Sequence, residues 1–196
     1  GSVAAGAAVL ALAAARTLDG THTTPAGIAV TALDAVTGAL LLIRRPAGQP
    51  PDRRAVAAVT ASTVAAGIVL AAAASARWPA AATIGVAGGT LIACGSLACI
   101  GRSFGVLAAH RGLVTHGPYR HLRHPAYAGE LLIVTSAAIA AATAGPGQAT
   151  AAAAGTAVLI PTVAWRIRLE EAALADDNAW TAYAARTRWK ILPGIW

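Results

Sequence analysis

The sequence predicts an all-α fold, a polytopic transmembrane helix bundle with about six spans, or five. Of its 196 residues, 57% are hydrophobic and only 12% are charged, whereas soluble domains carry about 25% charged residues. Several apolar runs approach the roughly 20 residues that a bilayer-spanning helix needs. Each span must be helical, because lipid offers no partner for unpaired backbone groups.

Six apolar segments are the expected spans, and their many small residues should let the helices pack closely. They cover residues 3–17, 27–43, 55–76, 80–100, 127–144 and 149–165. The Gly145-Pro146-Gly147 sequence is expected to close a helical hairpin between the last two spans. Pro161 should kink the final span, since proline removes a backbone donor and clashes with the preceding turn.

The distribution of basic residues predicts the orientation. Arginine and lysine are concentrated after the second, fourth and sixth spans, which places both termini and the polar loop in the cytoplasm. The alanine- and arginine-rich composition is typical of a bacterium, so we expect a multi-pass protein of the bacterial inner membrane. The net charge of +7 is expected to face anionic membrane lipids. Nucleic acid is not an expected partner, because no aromatic residues alternate with the basic ones.

Two regions are expected along the chain. Residues 1–101 form N-terminal transmembrane helices, and residues 102–196 form a catalytic region with a cytoplasmic loop, a helical hairpin and a C-terminal interfacial helix. Polar residues concentrate in stretches 102–130 and 166–190. Clustered ionisable groups at a membrane surface indicate a functional site, although a basic rim that only sets the orientation is the simpler interpretation.

The first polar stretch contains strong local signals. Gly117 and Pro118 predict a turn, and Pro125 is expected to begin the fifth span, since proline is pre-organised for a helix start. His124 would then stand at the helix cap. Glu130 lies deeper in that helix, where it either pairs with an arginine or faces the site.

The second polar stretch follows the last span. Arg166 and Glu170 lie four residues apart on one helical face, where the simplest interpretation is a helix-stabilising ion pair. Asn178 is expected to cap a short final helix. That helix, with aromatic and basic residues, is either an interfacial lid or an ordinary surface helix.

No metal site is predicted. His121 and His124 have a spacing that zinc sites use, but no cysteine joins them and nearby arginines would repel a dication. Cys94 and Cys99 lie in one apolar run and are expected to be packing residues.

Two segments resemble the isoprenylcysteine carboxyl methyltransferase family and, more broadly, the related phospholipid methyltransferases. Residues 113–129 read L-V-T-H-G-P-Y-R-H-L-R-H-P-A-Y-A-G, and residues 165–174 read W-R-I-R-L-E-E-A-A-L. The resemblance covers roughly the C-terminal half. It implies an S-adenosylmethionine pocket that faces the cytoplasm and is built from these two segments, without the soluble Rossmann-type fold.

Site residues follow from the resemblance by position. Arg166 and Glu170 are the implied catalytic residues, and Arg166 would engage the carboxylate of the acceptor. Arg123, Glu171 and Gly117 would support the site. The implied cofactor contacts are Leu113, Val114, Tyr119, His124, Pro125, Ala126, Tyr127 and Glu170.

The chain departs from the family pattern at two places. Arg111 and Gly112 stand where the family has a His-Thr pair, with His110 shifted by one residue, and Trp180 replaces a usual tyrosine. These changes affect part of the cofactor pocket and the acceptor preference.

The function implied is methyl transfer from S-adenosylmethionine to the carboxylate of a prenylcysteine-like or other lipophilic acceptor. The expected partners are a lipophilic or lipidated substrate and membrane lipids. Three alternatives stay open at this point: a methyltransferase for a phospholipid amine or small thiol, an NADPH-dependent membrane reductase, and a non-enzymatic lipid-binding bundle.

Overall fold

The computed structural model describes residues 2–18, 20, 23–44, 52–104 and 113–196, and within these ranges it contains helices and turns but no strand. His110, Arg111 and Gly112 lie outside the described residues. The α-helices in the described ranges are α1 Ser2–Leu18, α2 Pro25–Ile43, α3 Arg53–Ala72, α4 Ala80–Ile100, α5 Pro125–Ala141, α6 Pro146–Leu174 and α7 Asn178–Arg186. The predicted all-α membrane bundle is confirmed.

Helices α1–α6 coincide with the six expected spans. Four helical stretches are long and apolar enough to cross a membrane: Pro25–Ile43, Arg53–Ala72, Ala80–Ser103 and Pro146–Leu174. Helices α1 and α5 are apolar but have only 17 residues each, which is the lower end of the spanning range of roughly 17–25.

Proline and glycine set the starts of the last two spans. Helix α5 begins at Pro125, as predicted. Helix α6 begins at Pro146, three residues before the span expected from residue 149, and follows Gly145, whose φ of +137° favours glycine. Helix α6 continues to Leu174, past the expected end at residue 165 and through Pro161. The extension consists largely of Arg, Leu, Glu and Ala, which are strong helix formers.

Glycines bring the helices together in pairs. A Cβ atom on Gly129 of α5 would lie 2.6 Å from the carbonyl oxygen of Gly89 in α4, so these two backbones are in direct contact. Gly6 and Gly38 produce a similar approach between α1 and α2, and Gly155 of α6 does so against α3.

The three pairs then assemble around a cavity. Helix α2 packs on α4, while α3 and α6 both pack on α5. The cavity has a volume of about 880 Å³ and receives side chains from all seven of the α-helices in the described ranges. Both halves of the chain therefore build its wall.

Candidate active site

The loop before α5 carries the predicted turn. Gly117 has a φ of +59°, and residues Gly117–Arg120 form one turn of 3-10 helix. The turn buries Tyr119, which is only 7% exposed and lines the cavity. Burial, reinforced by the nearby Tyr183 and Glu170, raises the pKa of Tyr119 far above its usual range, so its phenol stays protonated.

The C-terminal tail lies along this loop and joins the two polar stretches. The backbone N–H groups of Arg123 and His124 donate to the carbonyls of Trp189 and Lys190 at 2.9 and 2.8 Å. The Tyr183 hydroxyl of α7 donates to the carbonyl of Tyr119 at 2.7 Å. Segments that are about sixty residues apart in the sequence are thus held side by side.

Glu171 is the electrostatic centre of this junction. Its Oε1 lies 3.2 Å from His124 Nε2 and 2.9 Å from Arg123 Nη1. Its Oε2 accepts a hydrogen bond from Lys190 Nζ at 2.6 Å. One carboxylate therefore ties the loop and the tail to the end of α6.

Glu170 faces the cavity beside two rings. The Tyr127 hydroxyl donates to Glu170 Oε1, and Glu170 Oε2 lies 3.8 Å from His124 Nδ1. The rings of His124 and Tyr127 stack, with their centroids 5.9 Å apart. His124 holds these contacts from the cap position of α5, where its side chain bonds no backbone group.

Arg166 lines the cavity beside Tyr127. Its guanidinium is 4.8 Å from the centroid of the Tyr127 ring, and its Nη1 donates to Ser62 Oγ of α3 at 3.1 Å. Among the described residues, no salt bridge joins Arg166 to Glu170, because Glu170 is turned to Tyr127 and His124. The simple i, i+4 ion pair is therefore not what fixes these residues.

Ser62 and Glu130 also belong to the polar surface of the cavity. Ser62 was not predicted, because nothing in a single apolar run marks one serine as the partner of an arginine in another helix. Glu130 faces the cavity and interacts electrostatically with Arg166 and Glu170. The sequence left open whether Glu130 pairs with an arginine or faces the site, and the structure shows that it faces the cavity.

Three cavity-lining side chains have a buried polar atom without a hydrogen-bond partner among the described residues: the Tyr119 hydroxyl, Arg123 Nε and Arg166 Nε. Buried polar groups are nearly always hydrogen-bonded, so such atoms call for an explanation. All three belong to side chains of the cavity wall, where a bound ligand can supply the missing partner.

Most of the expected cofactor contacts lie on the cavity wall. Pro125 is fully buried at the first position of α5. Among the described residues, the cavity lining does not include Pro125, Gly117 or Glu171. The expected contacts on the wall are Leu113, Val114, Tyr119, His124, Ala126, Tyr127 and Glu170.

Helix α7 closes one end of the cavity with Trp180 and Tyr183. Its cap is Asp177, whose side chain accepts from the backbone N–H of Ala179 at 2.8 Å. The prediction of Asn178 as the cap was wrong by one residue, because the aspartate before it is an equally good cap and is already extended. The two aromatic side chains of α7 are buried.

The fold and the cavity define a helical membrane protein with a ligand-sized polar site at one end of the bundle. Residues 90–176 match the isoprenylcysteine carboxyl methyltransferase (ICMT) family, which confirms the resemblance over that part of the chain. Together with the apolar helices, this match supports a membrane methyltransferase. No curated protein matches the chain.

The matched range contains all of α5 and α6 and the loop with Tyr119 and His124, but it ends before α7. Helices α1–α3, α7 and the tail therefore lie outside it, although all of the α-helices among them contribute to the cavity wall. The match itself does not identify the cofactor or the methyl acceptor.

Proposed function

We propose that the protein is an integral membrane methyltransferase that depends on S-adenosylmethionine and acts on a lipophilic acceptor. The observation that carries this proposal is the meeting of the two polar stretches at one cavity, within residues that match the ICMT family. The basic residues around the site favour an orientation toward the cytoplasm in a bacterial inner membrane.

The residues at the polar end of the cavity, around Tyr119 and Glu170, fit S-adenosylmethionine. Glu170 can accept hydrogen bonds from an amino group or ribose hydroxyls, and the unpartnered Tyr119 hydroxyl can donate one. Leu113, Val114 and Ala126 offer apolar contacts to an adenine ring. Small-molecule sites of this kind occupy about 300–1,000 Å³ and combine apolar walls with few polar groups.

When bound, S-adenosylmethionine supplies a methyl group on a positively charged sulfur. The residues of this chain need to orient the acceptor and exclude water, and good alignment of two reactants contributes about 7–11 kcal/mol. Tyr127 and Glu170 fix each other through their hydrogen bond, so the wall is ordered before ligands enter. Trp180 and Tyr183 then cover the polar end.

A carboxylate acceptor, such as a prenylcysteine-like acid, is favoured by Arg166. A planar guanidinium can bond both oxygens of a carboxylate, and Arg166 Nε has no partner in the described part of the chain. Leu33, Leu70 and Leu159 form part of an apolar wall that suits a hydrocarbon chain.

An amine or thiol acceptor is the second candidate, and Glu130 favours it. This carboxylate faces the same cavity and interacts with Arg166, so the positive charge of Arg166 is partly neutralised. Arg166→Leu separates the two acceptor classes. Turnover of a carboxylate acceptor should fall by about 100-fold or more, as expected when a charged recognition group is removed, whereas an amine or thiol acceptor should depend on it much less.

Titration calorimetry tests cofactor binding directly. The purified protein in detergent should bind S-adenosylhomocysteine, and Glu170→Ala should weaken binding by about tenfold or more, since a charge-assisted hydrogen bond is lost. Asp176→Asn removes the same charge from an exposed residue after α6 and should leave the affinity unchanged. Well-folded wild-type protein that binds neither S-adenosylhomocysteine nor S-adenosylmethionine would contradict the proposal.

A further inference from the structure

Glu130 is a carboxylate on the wall of the cavity. It lies one helical turn after Tyr127 on the same face of α5. It borders the cavity together with Arg166 and Glu170. Among the described residues its oxygens take part in no hydrogen bond or salt bridge, and its interactions with Arg166 and Glu170 act at longer range.

The wall around Arg166 therefore carries two carboxylates. Arg166 interacts with both Glu130 and Glu170 and is held by Ser62. A carboxylate acceptor placed at Arg166 would bring a third anion to that guanidinium in a cavity where charges are weakly screened. Like charges that are placed together disfavour binding, so this end of the cavity favours a neutral or cationic group.

The cavity also presents donors that fit a polar ligand. The Tyr119 hydroxyl, on a side chain that is 7% exposed, has no hydrogen-bond partner in the described ranges. It lies near enough to Glu130 and Glu170 to interact electrostatically with both. A ligand with both a donor and an acceptor would satisfy this hydroxyl and the Glu130 carboxylate together.

We propose that Glu130 is the catalytic base for an acceptor whose reacting nitrogen or sulfur carries a proton. This inference rests on the proposed function and narrows its acceptor class to lipophilic amines and thiols. The reacting atom gives its proton to a Glu130 oxygen while its electron pair forms the bond to the transferred methyl carbon. The carbon–sulfur bond of the donor breaks, its electron pair stays on sulfur, and Glu130 later releases the proton to water.

A purely structural role makes a different prediction. If Glu130 only balanced the charge of Arg166, its removal would disturb the cavity as a whole, including the binding of S-adenosylhomocysteine. If Glu130 acts on the acceptor, its removal changes the turnover and the preference for acceptor charge but leaves the affinity for S-adenosylhomocysteine unchanged. The two roles therefore differ in readouts other than activity.

The experiment uses the full chain in lipid nanodiscs and three acceptors with one common dodecyl chain: dodecylamine, dodecanethiol and dodecanoate. Acceptor and S-adenosylhomocysteine affinities are measured by calorimetry, and methylated products by mass spectrometry. The variants are Glu130→Gln, which keeps the shape without the charge, and Glu130→Asp, which keeps a carboxylate. Asp176→Asn is the matched control at an exposed position.

The expected result has two parts. Wild type binds dodecylamine more tightly than dodecanoate and methylates the amine or the thiol, and Glu130→Gln reverses the binding preference. Glu130→Gln lowers kcat by about 100-fold or more, the usual contribution of a general base, with S-adenosylhomocysteine affinity within about twofold of wild type. Glu130→Asp should retain more turnover than Glu130→Gln.

Three results would overturn the inference while leaving the proposed function intact. They are tighter wild-type binding of dodecanoate than of dodecylamine, unchanged turnover in Glu130→Gln, and loss of S-adenosylhomocysteine binding in both Glu130 variants. If wild type does not bind S-adenosylhomocysteine, the proposed function itself fails and the inference fails with it.

Discussion

Single residues in this protein hold segments that are distant in the sequence. Glu171 bonds Arg123 and His124 of the loop before α5 and Lys190 of the tail. Its side chain is only 16% exposed. A carboxylate in such surroundings is stable because it is paired, and removing it leaves cationic groups without compensation.

Glu171→Gln is therefore expected to destabilise the junction. The loss should amount to about 1.5–3 kcal/mol, since hydrogen bonds to charged groups contribute that much. Thermal unfolding in detergent would measure it, and S-adenosylhomocysteine affinity should fall because His124 and the tail lose their anchor. Asp176→Asn serves as the control and should change stability by less than about 0.5 kcal/mol. An equal effect of the two substitutions would refute this role of Glu171.

The Tyr183 hydroxyl is a second group that links distant segments, because it donates hydrogen bonds to the carbonyls of Tyr119 and Leu122. Burial raises the pKa of Tyr183 to about 12, above its value of roughly 10 in an unfolded chain. The folded state thus favours the neutral phenol, so its stabilisation is complete below about pH 10 and is lost as the pH rises toward 12.

Tyr183→Phe should lower the unfolding temperature by an amount that does not change between about pH 6 and pH 9. The expected loss is about 1 kcal/mol, typical of one neutral hydrogen bond. Unfolding curves of both proteins across that pH range would test this. A difference that disappears within the range would mean that the phenol ionises there and that its burial is not as described.

At the scale of elements, close helix contacts set the position of the site. Helix α5 carries His124 at its cap and Tyr127 in its first turn, and Gly129 brings it against α4. The backbone contact fixes how far α5 can slide or rotate. The geometry of the polar end therefore depends on a residue without a side chain.

Gly129→Ala tests this dependence. Its new Cβ would lie 2.6 Å from Ala93 N and from the Gly89 carbonyl oxygen, so α5 must move away from α4. Overpacking of this kind costs about 1–3 kcal/mol, and S-adenosylhomocysteine affinity should fall with stability. Gly95→Ala of α4 is the matched control, because nothing lies within 4 Å of its added Cβ. Similar behaviour of the two variants would contradict a contact-limited α5.

The helices could be predicted from the sequence because they follow from local signals. An apolar run that is long enough for a bilayer indicates a span. Pro125 marks the start of a helix, and Gly145 marks the turn between two helices. The partner of Arg166 could not be predicted in this way, since Ser62 lies more than a hundred residues away. The apolar span was expected to end at residue 165 because hydropathy falls there, whereas the helix continues to Leu174 through residues of high helix propensity.

The candidate site was predictable to a similar extent. The two polar stretches were expected to meet, and the ring of His124 does lie beside Glu170 and Glu171. Helical spacing alone favours the i, i+4 pair of Arg166 and Glu170. The hydrogen bond from Tyr127 to Glu170 could be seen only in the structure. The roles of these residues in binding and turnover remain predictions for the experiments above.

At the scale of the whole molecule, the cavity is a joint product of its two halves. The residues that match the ICMT family supply the polar end, and helices α1–α3 supply much of the apolar wall. Ser62 of α3 also holds Arg166. The acceptor preference should therefore depend on residues outside the matched range.

Ala66→Phe in α3 puts this division to the test. Ala66 lines the cavity and is half-buried, so a phenyl ring there takes up space that a lipophilic chain would occupy. The KM for a dodecyl acceptor should rise by about tenfold or more, as filling a pocket weakens apolar binding by at least about 1.4 kcal/mol. S-adenosylhomocysteine affinity should stay unchanged, because its expected contacts come from the loop, α5 and α6.

Ala57→Phe, on the exposed face of the same helix, should change neither quantity. If Ala66→Phe weakens the cofactor analogue as much as the acceptor, the two ligands do not occupy separate ends of the cavity, and α3 contributes to the cofactor pocket instead.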